Sequence, residues 1–240
     1  MLEWTQMYLE DIMLTALLFD LDGTLADTDP IHFRTWKDIL QKYGLSIDRA
    51  FYEQHFSGRL NAAIVRDLLP ELSPEDGQQL SWDKEAKFRR RAVGELEPMA
   101  GLSALLTWAT EQHLKQAVVT NAPAENAEFM LDVLGLRNQF ETVVLAEELA
   151  RGKPDPLPYQ VALERLGVPA AGAIAFEDSP SGVRSAVAAG ILTVGIASTH
   201  PPDVLYKMGA TLVIPNFADP RLNDLLKFSF SPEAVVRSGL

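Results

Sequence analysis

The chain has 240 residues, 47% hydrophobic and 22% charged, and its 33 acidic against 21 basic residues leave a formal net charge of −12. That composition suits a soluble protein of one large domain or two smaller ones with ample core, and the acidic surface repels nucleic-acid backbones and anionic membranes, which excludes both as expected partners. The absence of cysteine excludes a disulfide framework, a thiolate zinc site and a thiol nucleophile, and fits a cytoplasmic protein.

Residues 1–13 read as an N-terminal extension. No basic residue precedes Arg34, so the usual start of a secretory signal is missing. The first regular element is a short apolar run over 15–20, a buried strand whose end carries Asp20 and, two residues on, Asp22. Side chains alternate along a strand, so both carboxylates lean to one side. Two such acids repel unless a cation or a shared proton offsets them. Gly23 permits a sharp turn there, and Thr24 adds a hydroxyl. Asp29-Pro30 reads as a helix start, with Asp29 as N-cap and Pro30 in the first turn. Phe33, Trp36, Ile39 or Leu40, and Tyr43 keep helical spacing until Gly44 ends the element. Further helices are expected near 48–56, 60–69 and 75–95, with no strand between 27 and 98.

From residue 101 onward, strand-like runs at 116–120, 142–145, 172–176, 191–196 and 211–214 alternate with helical patterns. This predicts an α/β protein: a doubly wound, Rossmann-like parallel sheet core with an inserted all-helical cap domain. The expected division is a core of residues 1–26 and 99–240 and a cap of residues 27–98. The longest apolar-rich run, Ala186 to Ala197, is too short to span a bilayer and is broken by Gly190 and Gly195.

Three further polar motifs fall among these elements. Thr120 and Asn121 close the second core strand ahead of Pro123, placing a hydroxyl and an amide beside free helix N–H groups, an anion cradle. Gly152-Lys153-Pro154-Asp155-Pro156 precedes a helix around 158–167, and its prolines restrict where the Lys153 ammonium can point. Glu177 and Asp178 end another strand, followed by Ser179 as N-cap and Pro180 in the first turn of a helix. Asp20, Asp22, Glu177 and Asp178 together make a hard-oxygen site suited to magnesium. The calcium-loop alternative fails, because Asp20-Leu21-Asp22-Gly23 lacks the third ligand, the central glycine and the closing glutamate.

Asp20-Leu21-Asp22-Gly23-Thr24 resembles the first motif of the haloacid dehalogenase-like superfamily, mostly magnesium-dependent phosphohydrolases, and the other three motifs follow in that superfamily's order. The resemblance implies phosphoryl transfer through an aspartyl-phosphate. Asp20 would attack phosphorus, and Asp22 would donate a proton to the leaving alcohol and then take one from water. Thr120 and Lys153 would offset charge on the transferring oxygens. Magnesium would be held by Asp20, the main-chain carbonyl of Asp22, and Asp178, with Glu177 as ligand or close behind. Asn121 and Thr24 are expected to contact substrate.

Asp27-Thr28 and His32-Phe33-Arg34-Thr35-Trp36-Lys37 resemble the corresponding helix of the β-phosphoglucomutase-like subfamily, with His32 and Lys84 near its hinge histidine and cap lysine. Two departures stand out. Thr24 replaces the valine usual in mutases. In Ser57-Gly58-Arg59-Leu60-Asn61, asparagine stands where mutases place the arginine that grips a second phosphate, although Arg59 is close. The expectation is therefore a magnesium-dependent phosphatase of a small sugar or polyol phosphate, a monomer or weak homodimer, with a phosphosugar mutase as the alternative. A haloacid dehalogenase would need neither Asp22 nor the Glu177-Asp178 pair. A receiver-like phospho-accepting signalling domain shares acids, threonine and lysine on a doubly wound sheet, but it is much shorter and lacks a helical cap.

Overall fold

Six strands form one parallel sheet in the computed structural model, which describes residues 13–56 and 59–230. They are β1 (Ala16–Phe19), β2 (Lys115–Thr120), β3 (Thr142–Leu145), β4 (Ala173–Glu177), β5 (Leu192–Ile196) and β6 (Leu212–Ile214), each at a predicted position. Their order across the sheet is β3-β2-β1-β4-β5-β6. The chain winds outward from β1 to β3, returns to the far side of β1, and winds outward again. β1 and β4 therefore flank the point where the winding reverses, and ligands of doubly wound sheets bind outside the carboxyl ends of the strands there. The register pairs Phe19 with Phe176, and Asp20 N donates to Phe176 O at 2.9 Å.

Alternation explains why both sheet faces are covered. Leu17, Phe19, Val118, Ile174, Phe176 and Val194 enter one buried cluster, whereas Ala16, Leu18, Ala117, Val119, Ala173 and Ala175 enter another. The first face packs on α5 (Leu102–Glu111), α6 (Ala124–Val133) and α10 (Pro220–Phe230). The second, dominated by alanines, lets α7 (Leu157–Leu166) and α8 (Pro180–Ala188) come close, with the Tyr159 ring wholly buried. Phe19 and Phe176 stack at 5.0 Å, and Phe217 meets Phe176 edge-on at 5.2 Å. α9 (Pro202–Lys207) joins β5 to β6.

The insertion after β1 is helical: α1 (Asp29–Gln41), α2 (Arg49–His55), α3 (Asn61–Leu68) and α4 (Pro74–Ala92). It has its own apolar cluster around Trp36, Leu40, Tyr52, Phe56 and Ile64. Asp38 of α1 pairs with Lys87 and Arg91 of α4. Ile31, Phe88 and Ala92 instead join the cluster on the sheet, so one side of the insertion is continuous with the core.

Two local expectations are corrected. Thr28, not Asp29, is the N-cap of α1, because the Thr28 carbonyl accepts the first bonds of the helix, from Ile31 N and His32 N at 3.0 Å. The Asp29 carboxylate, drawn into the first turn, accepts from the Tyr52 hydroxyl at 3.0 Å and pairs with Arg49. The helix expected to 95 stops at Ala92, where Val93 leaves helical geometry and Gly94 takes φ +76°. The readings of residues 1–12, Ser57, Gly58 and 231–240 lie outside the described residues. Among the described residues no helix is long and apolar enough to cross a membrane.

Candidate active site

Lys153 is the hub beneath the pocket. Its ammonium has three protons to give, and it gives them to Asp20 Oδ1 (2.6 Å), the Val119 carbonyl (2.6 Å) and Glu177 Oε1 (2.5 Å). Asn121 holds the lysine's loop in place: Oδ1 accepts from Lys153 N at 3.1 Å, and Nδ2 donates to Lys153 O at 3.2 Å. Glu177 is fully buried and also accepts from the Tyr159 hydroxyl at 2.7 Å. Gly182 is required above it, since a Cβ there would lie 1.8 Å from Glu177 Oε2. Ser179 caps α8 as expected, accepting from Gly182 N at 3.0 Å.

The acids crowd as the sequence suggests. Single oxygens of Asp20, Glu177 and Asp178 lie within 4.8 Å of one another. The Asp22 carboxylate is not in this group. Burial, against the pull of Lys153 and with the push of Glu177 and Asp22, raises the Asp20 carboxyl to about 8. Burial, with the Asp20 and Glu177 charges, also pushes the Asp178 carboxyl well up. For Lys153 burial acts downward, but the Asp20 and Glu177 charges outweigh it and raise the ammonium to about 12. Thr199 Oγ1 donates to Asp178 Oδ2. Gly23, at φ +75°, passes so close that a Cβ would lie 2.2 Å from the same oxygen.

The upper wall belongs to the insertion. Lys84 is buried and donates to His32 Nδ1 at 2.8 Å. An ammonium can only donate, so Nδ1 accepts and the ring proton sits on Nε2, which lies 3.4 Å from Asp22 Oδ1. The His32 ring also stacks on Phe88 at 4.0 Å. Lys84 Nζ pairs with Glu85 Oε1 at 2.8 Å, and Asn61 Nδ2 donates to the same oxygen. For Glu85 burial acts upward, yet the charge of Lys84 and the bonds from Lys84 and Asn61 hold its carboxyl at about 2. Between this wall and Asp20 lies a cavity of ≈ 290 Å³, at the small end for a ligand pocket.

Most expected residues meet here: Asp20, Asp22, His32, Arg59, Lys84, Thr120, Asn121, Lys153 and Asp178 line the cavity. Thr120 Oγ1 accepts from Ala122 N at 2.9 Å. Three expectations change. Thr24 does not reach the cavity; it is fully buried and among the described residues its Oγ1 has no hydrogen-bond partner, because the turn closed by Leu25 N to Leu21 O tucks it inward. Thr24→Val is expected to stabilise the protein by ~1 kcal/mol, since a buried hydroxyl without a partner costs more than a methyl, with turnover unchanged; melting curves and a steady-state assay check this. Arg59 lines the cavity but its guanidinium is spent on Asp67 and the His55 carbonyl. Glu177 is not among the lining residues; its Oε1 is spent on Lys153 and Tyr159.

The sequence reading passed over Tyr159, Glu85, Asn126, Thr199 and His200. Thr199 and His200 follow β5, so the strand-end rule that located the other motifs would have found them. Tyr159, by contrast, looks like one more apolar residue of α7.

The family model for haloacid dehalogenase-like hydrolases matches residues 17–196. Over 184 residues the chain is 32% identical to the fructose-1-phosphate phosphatase of Escherichia coli (strain K12), covering 75% of this chain and 95% of that one. It is 27% identical over 213 residues to the β-phosphoglucomutase of Bacillus subtilis (strain 168), covering 85% and 90%. The crystal structure of CbbY from Rhodobacter sphaeroides in complex with phosphate superposes with a TM-score of 0.74 at 26% identity, covering 86% of this chain and 96% of that one. A match over more than half the chain makes this chain a member of the haloacid dehalogenase-like hydrolase family.

Proposed function

We propose that the protein is a magnesium-dependent phosphatase that hydrolyses a small sugar or polyol monophosphate through an aspartyl-phosphate on Asp20. In this reading residues 27–98 form the cap domain and residues 1–26 with 99–240 the catalytic core. One observation favours it over the mutase. Each lysine and arginine lining the cavity is already ion-paired: Lys153 with Asp20 and Glu177, Lys84 with Glu85, and Arg59 with Asp67. Asn61, where mutases carry arginine, donates to Glu85. A second phosphate on the cap side would have to break a pair and face the Glu85 carboxylate, and a mutase must hold both ends of a bisphosphate.

The residues then act in two steps. Asp20 attacks phosphorus and the phosphorus–oxygen bond to the alcohol breaks, with Asp22 giving its proton to the leaving oxygen. Water next attacks the aspartyl-phosphate, Asp22 takes its proton, and phosphate leaves with Asp20 restored. Lys153 offsets negative charge beside Asp20, Thr120 donates its hydroxyl proton to a phosphate oxygen, and His32 Nε2–H holds Asp22. Asn121 serves through the Lys153 loop.

The all-oxygen donor set fits magnesium. Asp20, Asp178 and the main-chain carbonyl of Asp22 would hold it, with Glu177 behind them on Lys153. When bound, it would supply a fixed positive charge against the phosphate oxygens. The raised carboxyls give a check that needs no substrate. Asp20 keeps its proton in the folded state up to about pH 8 while the unfolded carboxyl loses it near 3.8. The metal-free protein therefore loses stability as pH rises through that window. A cation binds the ionised form and competes with the proton. Millimolar magnesium is expected to raise the melting temperature by several degrees at pH 8 and by little at pH 5; equal shifts at both would remove the argument.

The functional test is a phosphate-release screen over sugar and short polyol monophosphates in magnesium, run beside conversion of glucose 1-phosphate to glucose 6-phosphate. Release without interconversion is expected. Interconversion would assign the mutase, and silence on every phosphoester would overturn the functional class.

A further inference from the structure

Asn126 lies in the first turn of α6, only 2% exposed, and both ends of its amide are spent on the insertion. Nδ2 donates to Glu85 Oε2 at 2.6 Å, and Oδ1 accepts from Arg89 Nη1 at 2.7 Å. Glu85 and Arg89 are one turn apart on α4, so the two share a helix face and one amide spans them. Arg89 Nη2 also pairs with Glu125, the neighbour of Asn126, at 2.6 Å. From Glu85 the bonded chain continues through Lys84 and His32 to Asp22. It joins the core–insertion contact to the proton shuttle without a gap.

We infer that Asn126 is a positioning residue: the core half of a latch that, with Glu85 and Arg89, closes the insertion over the pocket and through Lys84 and His32 sets Asp22 against the leaving group. The activity side of this inference rests on the phosphatase reading; the closure side does not. The side-chain chemistry is specific to the place. The site needs a donor for a carboxylate and an acceptor for a guanidinium at once, and a primary amide supplies both. Aspartate would repel Glu85, and an aliphatic residue would leave Glu85 Oε2 without this donor. A latch of hydrogen bonds also suits repeated opening, because water can replace each bond when the halves part, so the net cost of separation is small. Lifting of the insertion would widen the way for substrate entry and product exit.

The chain has no cysteine, so spin labels can be attached at Gln78→Cys on α4 and Glu164→Cys on α7, both exposed, and the distance measured between them. Asn126→Ala is expected to shift the distribution toward longer distances. It is also expected to lower, about tenfold, the ratio of kcat/KM for the sugar phosphate to kcat/KM for p-nitrophenyl phosphate. The ratio is diagnostic because p-nitrophenolate leaves without a proton from Asp22 and makes no use of a cap built for a polyol. Arg89→Met, at a side chain 23% exposed, breaks the same latch from its outer side and is read in the same way if Asn126→Ala does not fold. An unchanged distance distribution in the folded variant overturns the latch. A changed distribution with both esters slowed equally overturns its link to Asp22. If the parent protein cleaves neither ester, the phosphatase reading fails and the distance measurement alone decides the latch.

Discussion

Asp20→Asn is expected to lower turnover by ~10³-fold or more in saturating magnesium, while leaving the fold intact. Asparagine keeps the outline of the side chain and an oxygen that can still accept from Lys153, so the ammonium does not lose its place. It removes the nucleophile and one carboxylate of the acidic cluster. Stability should move the other way. The parent's Asp20 carboxyl sits at about 8 because burial and the neighbouring acids outweigh Lys153, so parent stability falls as pH rises from about 4 toward 8. The variant has no carboxyl to ionise. Its metal-free melting temperature should therefore match or exceed the parent's, by a margin that grows with pH. Acid-quenched parent enzyme should carry one phosphoryl group by mass spectrometry, and the variant none. Near-parental turnover of the variant in magnesium would refute the aspartyl-phosphate scheme.

The sheet was legible because each strand is a short apolar run that ends in polar residues, and a parallel strand buried on both faces has few other appearances. The core motifs were legible for the same reason: they sit where those runs stop. What could not be read was the partnership of side chains from separate elements. The Glu85–Asn61 and Glu85–Asn126 bonds join residues 24 and 41 apart on three helices whose packing no local pattern specifies. Lys84, in a run of charged residues, resembles a solvated surface lysine, yet it is buried against His32 and Glu85. Thr24 misled because its motif neighbours point to the chemistry and a turn reverses its own direction. The distinct duties of Glu177 and Asp178 were within reach. Glu177 ends β4 on the face of Ala173 and Ala175, which turns it toward α7 and Tyr159 and under Lys153, while Asp178 lies one residue further on at the cavity. Alternation along a strand suffices for that assignment.

Lys153→Met is expected to be the most destabilising single change. It leaves the apolar stem in place and removes an ammonium that is 3% exposed and bonded to Asp20, Val119 and Glu177. Breaking one side of a buried ion pair costs ~3–5 kcal/mol when the partner stays charged, and here the fully buried Glu177 loses its ammonium. The cost depends on pH in a definite direction. Lys153 is what pulls Asp20 down, so without it Asp20 holds its proton to still higher pH. The folded variant then keeps protons that its unfolded chain releases, and it loses stability as pH rises. Parent and variant therefore lose stability alike between pH 5 and 7, and the melting-temperature deficit should widen only above about pH 8, where the parent's Asp20 ionises and the variant's does not. Turnover should fall by ~10²-fold or more, since a fixed positive charge beside the transferring group is gone. Lys153→Arg should not restore it. A guanidinium presents its protons in a planar fork, whereas the carboxylate of Asp20, the carbonyl of Val119 and the carboxylate of Glu177 are met by the three protons of one nitrogen. Full activity of Lys153→Arg would mean that charge alone suffices at this position and that the three-way bonding contributes nothing to the chemistry.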